Sequence, residues 1–265
     1  MPLHAGRVLT AQDLTLRQRF VQRRHTTLLA AIIAAFAVRP MIGDSGLTPV
    51  VFSSAMLLLM LVALYTIQVD ELVGERQVLL AQRKRRSIIG WTLAGLAFAE
   101  RVGMLLAPSP RLYMVGTLGW LLFFAFITWT ELRSLLKHKE VTNETISMAI
   151  SVYLLIGTTW SLLYVVIFQH HPEAFSLGVS PATLEDQSHT FPLFMYFSLT
   201  TLSTIGFGDI TPLTLQARYA AVAEGITGQF YLAILVARLV GMQMSRAPAR
   251  EASDEAKEKS VERDE

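Results

Sequence analysis

The chain of 265 residues has no cysteine, which excludes disulfides, a thiolate nucleophile and thiolate metal sites. Its six histidines show no metal-ligand spacing, His170 and His171 being an isolated pair, so neither a resident metal nor another cofactor is expected. Charge is also scarce, at 17% of residues with a formal net charge of +2. The basic residues stand beside apolar blocks without interleaved aromatics, which argues against nucleic acid and for a membrane surface. No enzymatic centre is expected from this inventory.

What the chain has in abundance is apolar sequence, 52% of residues, gathered in long blocks. A spanning helix needs roughly 20 apolar residues to cross about 30 Å of hydrocarbon. Six blocks qualify, at about 24–43, 48–69, 87–107, 111–130, 145–169 and 213–244, the first and third interrupted by Arg39 and by Glu100-Arg101. A further apolar stretch from Thr190 to Leu202 is too short to span and fits a re-entrant helix that enters and leaves on one side. The expected fold class is all-α integral membrane, with six transmembrane helices, a short re-entrant helix and a loop after it.

Basic residues orient these spans. The N-terminal segment carries Arg7, Arg17, Arg19, Arg23 and Arg24 against one acid, and the 70–86 linker carries Arg76, Arg83, Lys84, Arg85 and Arg86. Both belong in the cytoplasm, as does the 131–144 linker with Arg133, Lys137 and Lys139. The stretch 170–189 has no Lys or Arg and three acids, Glu173, Glu185 and Asp186, so it faces outside. Both termini are then cytoplasmic. Arg23-Arg24 followed by an apolar run ending in Ala35-Phe36-Ala37 also resembles a cleavable signal peptide, but the run begins late, which favours an uncleaved first span.

The short helix runs into Ser198–Pro212, SLTTLSTIGFGDITP. Backbone at membrane depth must be satisfied by protein or line an aqueous path. Gly206 and Gly208 can adopt left-handed angles that turn successive carbonyls toward one axis, where rings of them replace the water shell of a cation. Thr204 adds a carbonyl and a hydroxyl at the inner end, and Asp209 supplies negative charge at the outer end.

The run Thr201-Leu202-Ser203-Thr204-Ile205-Gly206-Phe207-Gly208-Asp209 resembles the selectivity-filter signature of the potassium channel family, T-x-x-T-x-G-[YF]-G-D. The resemblance covers residues 145–244, as outer helix, turret, pore helix, filter and inner helix. It implies a filter of Thr204, Ile205, Gly206, Phe207 and Gly208 that passes K+ as the permeant ion. Asp209 then stands at the outer mouth, with Thr200, Thr201 and Ser203 as pore-helix support. Phe207 departs from the commoner tyrosine and removes a hydroxyl that braces the filter, which puts filter stability in doubt. Tyr196 and Phe197 resemble the family's aromatic cuff; simple packing is their other reading. One filter loop in the chain implies a homotetramer embedded in lipid.

The block 213–244, about 48 Å long as a helix, resembles the family's inner helix, with Pro212 suited to its start. Gly228 follows Gly208 at a spacing similar to the gating hinge, with close helix packing as the alternative. Ala233 and Ala237 are small enough to line an inner mouth, and Arg238 reaches the cytoplasmic surface. Glu224, an acid inside the membrane, either faces a water-filled cavity or sits behind the filter near Thr200 and Ser203. The expected organisation is a cytoplasmic segment 1–23, a four-helix peripheral domain 24–144, a pore domain 145–245 and a charged tail 246–265. The peripheral domain resembles a voltage sensor in helix number only, because its fourth span has no charge between Arg111 and Glu131. Arg39 and Glu100 can pair there, as a structural bridge or a sensor.

The reading is a potassium-selective channel of a bacterial inner membrane, not voltage-gated, whose regulatory ligand or subunit is unknown. The alternatives are a weakly selective cation channel and a non-conducting sensor or transporter subunit.

Overall fold

The computed structural model describes residues 23–43, 48–73, 80–106, 109–138, 141–178 and 187–244. Among them are seven α-helices: α1 Arg24–Ile42, α2 Thr48–Val73, α3 Leu80–Leu106, α4 Pro110–Lys137, α5 Asn143–His170, α6 Gln187–Leu202 and α7 Leu215–Met244. A 3-10 turn, Pro172–Ala174, follows α5. Two short strands, β1 Phe175–Ser176 and β2 Thr211–Pro212, pair antiparallel with Phe175 opposite Pro212. The expected N-terminal segment, apart from Arg23, and the charged tail lie outside the described residues.

Helix ends follow local chemistry more closely than hydropathy does. Pro110 occupies the first turn of α4, where its missing N–H costs nothing. The Thr142 hydroxyl caps α5 by accepting from Thr145 N at 3.2 Å. Both linkers expected from hydropathy are partly helical. Arg83 to Arg86 are helical in α3, and Glu131, Arg133 and Lys137 are helical in α4, because Arg, Lys, Glu and Leu all favour helix. Pro212 does not begin the last helix as expected. It is held in β2, and Thr214 makes the turn instead, its carbonyl accepting from Arg218 N at 3.0 Å.

Among the described residues four helices are long and apolar enough to cross a membrane: α1, α4 from Arg111, α5, and α7 as far as Arg238. The apolar part of α2 is the shorter stretch Ser53–Gln68, and α3 carries its basic cluster at one end and Glu100-Arg101 near the other.

The chain divides into two compact units between Thr92 and Leu93, inside α3, so the expected boundary at 144/145 falls within the second unit. In the first, α1 packs on α2, with Leu28, Ile32 and Ala35 buried on one helix and Met56, Leu59, Met60 and Ala63 on the other. Both sets recur at three- and four-residue intervals, one face of a helix each. In the second unit α4 lies along α5, α5 along α6, and α6 along α7. Phe123 and Phe124 meet edge to face at 5.6 Å, and Trp120 stacks on Phe124 at 6.0 Å. Glu100 is buried against α4 at Gly116, where a Cβ would collide with the acid's side chain. The side chains of Arg39 and Arg101 are outside what is described, and the expected Arg39–Glu100 pair with them.

Candidate functional site: the loop between α6 and α7

The loop begins with an unusual end to α6. The Thr200 carbonyl accepts from both Ile205 N at 2.8 Å and Gly206 N at 3.2 Å, while Thr204 N bonds to Thr201 O at 3.0 Å. The chain therefore folds back over the last helical turn. Thr204 (φ 60°), Gly206 (φ 52°) and Gly208 (φ 79°) are left-handed, and Thr204 is the one non-glycine residue with such an angle among those described. A branched side chain resists that conformation at a cost of about 1–3 kcal/mol, so the surroundings must enforce it. Left-handed residues at every second position turn the intervening peptides the same way. All six residues from Thr204 to Asp209 are exposed, and no atom stands within 4 Å of a Cβ built at Gly206 or Gly208.

The exit of the loop is pinned at several points. Tyr196 on α6 donates to Asp209 Oδ2 at 2.8 Å and stacks on Phe207 with ring centres 6.1 Å apart and planes 2° from parallel. Asp209 Oδ1 accepts from Ile210 N at 3.0 Å. The strand pair and the bond from Leu213 N to Ala174 O at 2.8 Å tie the following residues to the turn and strand after α5.

The two aromatics expected to act together take different places. Tyr196 is exposed beside the loop, whereas Phe197 is buried among Tyr164, Phe175, Phe194 and Ile210. Phe197 and Tyr164 meet edge to face at 5.0 Å, and Phe175 and Phe194 at 4.8 Å. Thr200 is buried, its hydroxyl donating to Phe197 O at 2.9 Å; Thr201 is half-buried. Ser203 donates to Leu199 O at 2.6 Å. These hydroxyls close α6 on itself rather than reaching Glu224.

Glu224 on α7 is fully buried within the chain. Its oxygens lie 2.5 Å from the Tyr164 hydroxyl of α5 and 2.5 Å from Ser198 Oγ of α6. Neither partner was among the residues singled out from the sequence. The signal for them is the buried acid itself: in an apolar bundle its partners must come from the few hydroxyls on facing helices. Gly228, one turn further, is buried where a Cβ would run into the Leu202 carbonyl at the end of α6. That contact is close packing of α7 on α6. Tyr231 follows on the same stripe and donates to Ala149 O of α5 at 2.6 Å. Ala233 and Ala237 are exposed. Arg238 donates to Leu136 O at 2.7 Å and His138 O at 2.6 Å, so it binds the carbonyl end of α4.

Residues 148–244, from α5 through α7, match a family described as ion channel. The potassium channel protein kcv of Paramecium bursaria Chlorella virus 1 is 34% identical over 73 residues, which is 28% of this chain and 77% of the viral protein. No solved structure gives a significant match.

Proposed function

Because the chain belongs to the potassium channel family, and is thus a membrane channel and not an enzyme, we propose that four copies surround one path selective for K+ and conduct it passively. The observation that carries this reading is the exposed loop after α6 with left-handed backbone at Thr204, Gly206 and Gly208. Four such loops around an axis give stacked rings of carbonyl oxygens from Thr204, Ile205, Gly206, Phe207 and Gly208, with the Thr204 hydroxyl innermost. Asp209 concentrates cations at the outer mouth, and its bond from Tyr196 supports the loop from the side. The Phe207 ring stacks on Tyr196 and carries no hydroxyl to brace the loop.

In this reading α1 to α5 and α7 cross a bacterial inner membrane, α6 enters from the outer face and both termini are cytoplasmic. At 26 and 27 residues, α2 and α3 are long enough to span even though their apolar parts are shorter. Four basic residues at the start of α3 favour the cytoplasmic side. Voltage is not the stimulus, because α4 carries no charge between Arg111 and Glu131 to move through the field.

Recording from the reconstituted protein in planar bilayers tests this. With K+ and Na+ opposed, the reversal potential should lie near the K+ equilibrium value. A value near zero would make the protein a weakly selective cation channel, and no unitary current a non-conducting subunit. Gly206→Ala should abolish K+ current while the tetramer still assembles, since an added methyl disfavours the left-handed angle by about 1–2 kcal/mol in each subunit. Steep voltage dependence equivalent to several charges per subunit would overturn the voltage-independent part.

A further inference from the structure

Three short oxygen contacts run through Glu224 and Ser198, two of them at the acid, and they do not share enough hydroxyl protons. Tyr164 Oη lies 2.5 Å from Glu224 Oε2, Ser198 Oγ lies 2.5 Å from Glu224 Oε1, and Ser198 Oγ also lies 2.7 Å from the Gly157 carbonyl. A tyrosine and a serine hydroxyl carry one proton each. The carbonyl of Gly157 can only accept, so its contact uses the serine proton. Tyr164 spends its own proton on Oε2. The remaining contact, between Ser198 Oγ and Oε1, then holds two oxygens and no hydrogen unless Glu224 supplies it. Among the described residues no lysine, arginine or histidine pairs with Glu224 to hold a negative charge there, and the group is fully buried.

We infer that Glu224 is a neutral carboxylic acid that donates to Ser198, which donates to Gly157, forming a proton-ordered chain from α7 through α6 to α5. The acid is thereby a positioning residue for the loop, and this consequence rests on the channel reading above. Ser198 stands two residues before Thr200, whose carbonyl holds the Ile205 and Gly206 amides. Gly157 lets α6 approach: a Cβ there would meet Leu199 Cδ2 at 2.9 Å. An ionised acid would take the serine proton for itself and leave the Gly157 contact as two facing lone pairs, loosening α6 from α5 where the loop is seated.

Infrared difference spectra of the tetramer in lipid, wild type minus Glu224→Gln, test the proton directly. A carboxylic-acid carbonyl band present only in the wild type is expected. Ser198→Ala should move that band to higher frequency by removing the acceptor, which keeps the test available if Glu224→Gln does not assemble. Absence of the band in wild type, or its presence unmoved in Ser198→Ala, overturns the inference. Single-channel recording tests the consequence. Glu224→Gln, whose amide can still donate to Ser198 and accept from Tyr164, should keep conductive dwell times within about twofold of wild type, whereas Glu224→Leu should shorten them about tenfold or more. Equal shortening in both variants would show that charge is required and sink the proposal. A wild type with the band but no K+ current would fault the channel reading alone; current without the band would fault the proton alone.

Discussion

Two long apolar helices of the second unit, α5 and α7, are buried to very different extents: 56% of the apolar stretch of α5 is covered by its own chain, but only 17% of that of α7. The difference lies in what each touches. α5 packs against α4 on one side and α6 on another, and fills the aromatic core through Tyr164 and Val165. α7 is covered along one stripe, Ala217, Glu224, Gly228 and Tyr231, which recurs at helical spacing. Tyr219, Val222, Ile226, Phe230 and Ile234 are exposed in the single chain. Composition makes both helices good spans; what distinguishes them is how much of each its own chain covers, and the tetramer proposed above would complete the bare side of α7 with other copies and lipid.

The largest effect is expected where the narrow stripe meets α6. Gly228→Ala places a methyl on the Leu202 carbonyl, a backbone atom that cannot rotate away, so α7 must move off the end of α6. We expect loss of K+ current and a lower thermal midpoint of the assembled protein, with a cost of about 1–3 kcal/mol per subunit. Unchanged current and midpoint would mean that α7 is not seated on α6. A smaller effect is expected on the uncovered side. Phe230 is exposed in the single chain and in the proposed tetramer would face a neighbouring copy, so with Phe230→Ala helix content should be preserved while assembly, read by cross-linking across a dilution series in detergent, weakens about tenfold. Assembly unaffected by the change would assign that position to lipid and break the second half of the contrast.

Much of this was legible in the sequence, and what was not has physical reasons. The helices and the short α6 before its loop follow from block length, and the left-handed positions at 206 and 208 follow from glycine. The left-handed angle at Thr204 does not, because a threonine is a poor candidate for it, and it accompanies the fold-back of the Ile205 and Gly206 amides onto Thr200 O. Hydropathy placed Arg83 to Arg86 and Glu131 to Lys137 in linkers, although helices continue through charged residues once outside the apolar layer. The Tyr196–Asp209 and Tyr164–Glu224 bonds join residues 13 and 60 positions apart, and no local pattern encodes such pairs. Tyr196 and Phe197 are adjacent in sequence, yet neighbours on a helix point about 100° apart, which sends one to the loop and the other to the core.

The smallest effect sharpens the contrast most finely. Among the described residues Tyr231 is the last buried one on the covered stripe of α7, and it touches α5 in two ways: its hydroxyl donates to Ala149 O at 2.6 Å, and its ring lies 5.9 Å from that of Tyr153. Tyr231→Phe keeps the ring and removes the bond. The Ala149 carbonyl sits inside a helix and retains its own helical donor, so no acceptor is stranded. Interhelical hydrogen bonds in membrane bundles contribute on average about 0.6 kcal/mol, which for a unit of this size is a fall in thermal midpoint of about 1–3 °C. Current should be close to wild type. If the seat of α7 is made by packing, Tyr231→Phe must stay far milder than Gly228→Ala, and Tyr231→Ala must exceed it by losing the ring contact as well. A Tyr231→Phe loss equal to that of Gly228→Ala would show instead that directional bonds to α5 hold the helix, and that the covered stripe works as a row of anchors.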